Sequence, residues 1–220
     1  QGIPYDLPIV GYDKAVNSLR LWSAKAVDDF DLADFDKGSY VEAVERKVAF
    51  VRCKGTCDVT RNQGNYIGIQ DCRSAVLSGL NVTDCGFGCL GLGSCATVCP
   101  QDAIRVVDGV AIVNRKKCVG CGLCVKACPK GLIELVPEAN RVSVRCSNHD
   151  RGPLVKRVCA VGCIGCGVCT RQCEYDAIHV ENGLAQVNYA NCTQCGKCAE
   201  KCPMKAITLP PAALSGREAV

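Results

Sequence analysis

The residues able to do chemistry here are cysteines, and their spacing is regular. One stretch reads Cys163-x2-Cys166-x2-Cys169-x3-Cys173, and another reads Cys192-x2-Cys195-x2-Cys198-x3-Cys202-Pro203. Cys118, Cys121, Cys124, Cys128 and Pro129 repeat the second pattern. Three thiolates from one tight loop can grip one iron–sulfur cubane, while the fourth starts a short helix and points toward a second cube. Two such runs exchange their last cysteines and enclose two clusters. Small residues between the cysteines let backbone amides reach the sulfurs and tune the potential. Zinc is the main rival, because C-x2-C pairs also build tetrahedral thiolate sites. Zinc knuckles, however, come as two pairs split by a longer loop. A complete internal disulfide scaffold sits badly with an odd total of 21 cysteines.

The spacing assigns ligands residue by residue. Cys163, Cys166, Cys169 and Cys202 form one set, and Cys192, Cys195, Cys198 and Cys173 a second. Cys118, Cys121, Cys124 and Cys99 form a third. The fourth is irregular: Cys89, Cys95 and Cys128 remain, Leu92 occupies a ligand position, and Cys85 is the nearest thiol to complete it. A three-iron cluster is the alternative there. Four 4Fe-4S clusters are expected, with a fifth open. Cys53, Cys57 and Cys72, with one more thiol, are candidates for it; buried structural cysteines are the other reading, for these and for Cys146 and Cys159. If Cys85 served the fifth cluster, the fourth would lose its ligand.

An internal repeat carries these runs. At an offset of 74 residues Cys72 falls on Cys146, and Cys85 on Cys159. Cys89, Cys95 and Cys99 fall on Cys163, Cys169 and Cys173. Cys118, Cys121, Cys124 and Cys128 fall on Cys192, Cys195, Cys198 and Cys202, and Cys166 faces Leu92. Between half-repeats lie short alternating stretches, 104–107 and 110–113, then 178–180 and 184–187. They are split by Asp108-Gly109 and Asn182-Gly183, which signal hairpins. Only 5% of the chain is aromatic, too little for an ordinary core of this size, so folding is expected to depend on the clusters.

Other chemistries are weak. No apolar run approaches a membrane helix, and Gln1–Val10 does not read as a secretory signal. Residues 1–46 hold five Lys/Arg against nine Asp/Glu, and residues 47–220 hold 21 against 13. Metal-bound thiolates would offset that basic surplus, so nucleic acid is not an expected partner. Gly86 to Gly91 spells G-x-G-x-x-G without a preceding strand, and is no dinucleotide site. His149 and His179 read as surface or hairpin residues, Met204 as packing. No residues are expected to be catalytic in bond-making.

With the cysteines placed, residues 47–209 resemble the ferredoxin-like region of the B subunit of the Rnf ion-translocating electron-transport complex. The resemblance rests on Ala49 to Cys57 (AFVRCKGTC), Tyr66-Ile67-Gly68 and Cys85 to Gly91 (CGFGCLG). It continues through Cys128 to Pro137 (CPKGLIELVP) and Val161 to Cys166 (VGCIGC). It implies one-electron transfer through a chain of 4Fe-4S clusters in a complex that oxidises reduced ferredoxin and reduces NAD at another subunit. The implied partners are reduced ferredoxin or a similar acidic redox donor and the other Rnf-type subunits. The implied place is cytoplasmic, peripheral on the membrane's cytoplasmic face. Lys116, Lys117, Lys126, Lys130, Arg157 and Arg171 could attract an acidic donor, although ordinary solubility explains them as well. A free soluble polyferredoxin is the alternative function.

The front departs from that family, which begins with a membrane helix and another cluster domain. Residues 4–45 instead resemble an internal fragment of glycogen phosphorylase: Tyr5 to Tyr12 (YDLPIVGY), then Asn17 to Ala26 (NSLRLWSAKA). About forty residues cannot make a phosphorylase, so carbohydrate chemistry ranks low. A chimera, a gene fusion or a mis-assigned segment would each give a seam near Glu45-Arg46-Lys47. The expected class is α+β, two tandem bacterial-type two-cluster ferredoxin modules behind a lead-in and an unrelated N-terminal segment. The expected divisions are 1–46 phosphorylase-like, 47–84 lead-in, 85–138 first module, 139–158 connector, 159–209 second module and 210–220 tail.

Overall fold

The computed structural model describes residues 10–13, 18–21, 45–61, 66–79 and 82–209. Most of the phosphorylase-like segment and the tail at 210–220 lie outside the described residues. The chain divides into two units between Val44 and Glu45. In the first, β1 (Val10–Asp13) pairs antiparallel with β2 (Ser18–Leu21).

The second unit builds one motif twice. β4 (Ile104–Val107) pairs with β5 (Val110–Val113), and β8 (Ile178–Glu181) pairs with β9 (Leu184–Val187). Both turns place two central residues at positive φ: Asp108 and Gly109 at 48° and 80°, Asn182 and Gly183 at 49° and 78°. That turn matches the twist of the strands, as the Asp-Gly and Asn-Gly pairs predict. Each hairpin turns apolar residues inward. Ile104, Val110 and Ala111 are buried in the first, Ile178, Leu184 and Ala185 in the second.

Helices are short because the cysteine runs leave room for little else. α1 is Cys72–Leu77, α2 Ser94–Thr97, α3 Leu123–Ala127, α4 Gly152–Val158, α5 Val168–Arg171 and α6 Lys197–Glu200. α2, α3, α5 and α6 each start after a glycine at φ of 69–81°: Gly93, Gly122, Gly167 and Gly196. The chain reverses sharply there, in a region where a Cβ is costly.

Two further pairings close the halves. β3 (Lys47–Val51) runs antiparallel to β6 (Ile133–Pro137), with Val51 opposite Ile133. β7 (Ser143–Val144) runs antiparallel to β10 (Ile207–Thr208). The strand that ends each half therefore pairs with one that precedes its cysteine runs. Those earlier strands come from 47–84 and 139–158, which the spacing alone marks as lead-in and connector. Val48, Val51, Ile133 and Val136 join one buried cluster, and Val142, Val144 and Ile207 another.

Gly91 and Gly165 are equivalent by the repeat, with φ of 71° and 63°. A Cβ on either would lie 2.6 Å from a carbonyl oxygen, that of Gly109 or Gly183. Gly91→Ala should therefore cost about 2–3 kcal/mol through backbone strain and clash. A lower midpoint for thermal bleaching, with Gly86→Ala unchanged, is the expected readout; nothing lies within 4 Å of a Cβ on Gly86.

Candidate metal centre

Four cavities have cysteine-lined walls. One is lined by Cys173, Cys192, Cys195 and Cys198, and another by Cys99, Cys118, Cys121 and Cys124. Each combines three cysteines of one run with the last cysteine of the preceding half-repeat. A third is lined by Cys72, Cys89, Cys95 and Cys128. A fourth is lined by Cys53, Cys85, Cys89, Cys146 and Cys159. Cys163 and Cys169 pack in one buried cluster, with Cys202 against it. Cys166 is exposed.

At the irregular set the cavity linings differ from the spacing assignment. Cys72, the first residue of α1, lines the cavity with Cys89, Cys95 and Cys128, whereas Cys85 lines the other one. Burial pushes the Cys95 thiol up to about 12, and the neighbouring thiols of Cys89, Cys72 and Cys128 add to the rise. Proximity in sequence points to Cys85, whereas the packing of α1 brings Cys72 to the run. The usable signal was the repeat itself: Leu92 removes a ligand, and Cys72 is a thiol in the same half. Cys53, Cys57 and Cys72 do not gather. Cys53 and Cys72 line separate cavities, and Cys57 is exposed, its N–H donating to the Asp108 carbonyl at 2.9 Å.

Backbone donors point at the sulfurs. The amides of Ala103 and Ala177, equivalent by the repeat, donate to Cys99 Sγ and Cys173 Sγ at 3.4 and 3.3 Å. The Leu132 amide reaches Cys128 Sγ at 3.4 Å and the Ala49 amide reaches Cys118 Sγ at 3.3 Å. Such bonds stabilise sulfur that carries negative charge. Burial raises the Cys198 thiol to about 11 and lifts those of Cys124 and Cys169 as well, which favours their protonated forms. Metal binding supplies the positive charge that removes those protons. Among the described residues, no three of His, Cys, Asp or Glu are gathered closely enough for a single ion.

Asp71 holds Cys72 in place. It caps α1, accepting from the Ser74 amide at 2.8 Å, and its other oxygen accepts from Ser94 Oγ at 2.8 Å. Ser94 Oγ in turn accepts from the Cys72 amide at 2.7 Å. These bonds hold the Asp71 carboxyl below its ordinary range. Asp71→Ala should destabilise α1 by removing its N-cap. It should also speed bleaching in urea, a change that Asp84→Ala should not reproduce.

The histidines stay outside these cavities. His149 meets the Phe87 ring edge-on at 5.8 Å, and His179 Nε2 lies 3.0 Å from the Asp176 carbonyl. Met204 packs against the second cluster. No helix among the described residues is long and apolar enough to cross a membrane.

Comparison with known proteins agrees with this chemistry. Residues 111–134 match the 4Fe-4S binding domain, and residues 162–207 match the 4Fe-4S dicluster domain. The chain thus carries 4Fe-4S ferredoxin domains. It is 42% identical over 202 residues to the B subunit of the Na(+)-translocating ferredoxin:NAD(+) oxidoreductase complex of Acetobacterium woodii, covering 91% of this chain and 60% of that protein. It is 39% identical over 173 residues to the B subunit of the ion-translocating oxidoreductase complex of Methanosarcina acetivorans, covering 78% of this chain and 66% of that one. The chain therefore spans under two thirds of the length of either relative. Residues 1–53 match the carbohydrate phosphorylase family. There, 43 residues are 58% identical to the brain form of glycogen phosphorylase from Rattus norvegicus, covering 19% of this chain and 5% of that enzyme.

Proposed function

We propose that this chain, which resembles the B subunit of ion-translocating oxidoreductases over most of its length, is the ferredoxin-like electron-transfer subunit of such a complex. It receives electrons from reduced ferredoxin or a similar acidic donor and passes them toward a subunit that reduces NAD. It acts at the cytoplasmic face of the membrane, held there by other subunits. The observation that carries this reading is the recurrence of cysteine-lined cavities, three of which draw thiols from two half-repeats.

The residues divide into two tandem two-cluster modules. Cys99, Cys118, Cys121 and Cys124 hold one cluster of the first module. Cys72, with Cys89, Cys95 and Cys128, holds the other, in place of Cys85. In the second module Cys173, Cys192, Cys195 and Cys198 hold one, and Cys163, Cys166, Cys169 and Cys202 hold its companion. When bound, the clusters supply reversible one-electron chemistry. The chain supplies the thiolates, the amide donors of Ala49, Ala103, Leu132 and Ala177, and the apolar packing that limits water. Lys116, Lys117 and Arg171 are exposed and present positive charge to a donor. Lys117 Nζ is only loosely paired, 3.9 Å from Asp102.

The test is anaerobic mixing of the iron-loaded protein with reduced ferredoxin, followed by the visible band. Rapid bleaching, slowed several-fold by raised salt, is expected. Failure to accept electrons from ferredoxin, or from any donor of comparable potential, would overturn the relay. Co-purification with the remaining subunits separates a member of the complex from a free polyferredoxin.

A further inference from the structure

We infer that Cys53, Cys85, Cys146 and Cys159 hold a fifth four-iron cluster, lying between the two modules and joining them. This rests on the iron–sulfur reading above and goes beyond its four ligand sets. The four thiols line one cavity, although they come from the lead-in, the loop before α2, the connector and the residue after α4. Cys53, Cys146 and Cys159 are each 8% exposed. No sequence run links them, so only the fold brings them together.

Each of the four sulfurs has a donor aimed at it. The Cys89 amide donates to Cys53 Sγ at 3.4 Å. The amides of Cys163 and Asn148 donate to Cys146 Sγ at 3.3 and 3.5 Å. Thr60 Oγ1 donates to Cys159 Sγ at 3.7 Å, and Asn148 Nδ2 donates to Cys85 Sγ at 3.5 Å. Asn148 is 1% exposed, yet it directs both its backbone and its side-chain donor at thiols of one cavity. A buried asparagine used this way fits sulfurs that carry charge. The other charges agree. Among the described residues, Arg52, Lys54 and Arg145 line the cavity and no carboxylate does, as suits a four-thiolate cube of net charge about −2.

Cys89 also lines this cavity, but it belongs with Cys72, Cys95 and Cys128, whose set is otherwise one ligand short. The repeat explains why Cys146 is free. Its equivalent, Cys72, fills the gap left by Leu92, whereas the second repeat has Cys166 there and needs no substitute. The position is that of a bridge. The amide of Cys89, a ligand residue of the first module, bonds one sulfur of the site. The amide of Cys163, a ligand residue of the second, bonds another. Electrons leaving one module have a short bonded route into the other.

Iron and acid-labile sulfide per chain on anaerobically reconstituted protein test this directly. Five clusters call for about 20 of each, four for about 16. Cys146→Ala and Cys159→Ala should each lose about four iron, whereas Cys57→Ala keeps the wild-type count. In the fully reduced protein, losing the bridge should also lessen the spin–spin broadening of the EPR spectrum, leaving the part that arises within each two-cluster module. If the cysteine variants fold poorly, Asn148→Leu serves. It spares every ligand and should lower one midpoint in a redox titration while the iron count holds. About 16 iron in the wild type, a zinc ion at this site, or unchanged midpoints in Asn148→Leu overturn the fifth cluster alone. An iron-free wild type would instead sink the electron-transfer reading.

Discussion

Stripping iron from the protein with a chelator under reducing conditions should unfold residues 45–209 rather than leave an empty shell. Far-UV circular dichroism and the visible band should decay together, and the cooperative thermal transition should vanish. The reason is the make-up of the core. Its first buried cluster includes Cys53, Cys95, Cys118 and Cys124 beside Val48, Val51, Ile104 and Ile133. The second includes Cys146, Cys163, Cys169 and Cys198 beside Val142, Ile178 and Leu184. Among the described residues, the largest fully buried side chains are no bigger than Ile178 and Leu184. Strands of two to five residues and helices of four to seven cannot offset chain entropy of about 1–2 kcal/mol per residue without a filled centre. Binding free energy is then folding free energy. A compact, colourless protein with an intact melting transition would contradict this, because apolar packing would have to suffice. Restoring iron and sulfide anaerobically should return both signals in parallel.

What the sequence displays and what it hides follow from how local each interaction is. The C-x2-C-x2-C loops, the Asp108-Gly109 and Asn182-Gly183 turns and the exchange of a last cysteine between half-repeats are set within a few residues or by a fixed repeat. They can be read directly. The β3–β6 and β7–β10 pairings join strands far apart in the chain, and β7 and β10 are two residues each, too short to carry a pattern. The same holds for Cys72 and Cys85. Both lie upstream of the run they might serve, and distance along the chain favours Cys85. The contact that brings Cys72 beside the run is the docking of α1, set by the Asp71–Ser94 bond and by Ala75 and Leu90 packing around Cys72. Cys146 and Cys159 belong to no local motif, and only the folded connector shows that they share a wall with Cys53.

Replacing Cys72 with alanine should remove the irregular cluster of the first module or reduce it to a three-iron form, and adding Leu92→Cys should restore it. The single variant leaves Cys89, Cys95 and Cys128 as three ligands. The expected readings are a loss of about one to four iron per chain and, for the partial loss, the EPR signal of an oxidised three-iron cluster. Leu92 packs beside Cys72, Ala75 and Leu90, so a thiol at position 92 starts next to the one it replaces. It also rebuilds the unbroken run that Cys163, Cys166, Cys169 and Cys173 already form in the second repeat. The double variant should therefore regain the wild-type iron count and lose the three-iron signal. Cys85→Ala should behave differently, because Cys85 lines the other cavity. It should also lose iron, but Leu92→Cys should not rescue it. Rescue of Cys85→Ala, or an unaltered count in Cys72→Ala, would return the ligand to Cys85 and make Cys72 a packing residue. The contrast reads the geometry of α1 through metal content alone, without relying on turnover. Rescue by Leu92→Cys would mean that a helix docked onto the run delivers, from outside it, the sulfur that Leu92 lacks.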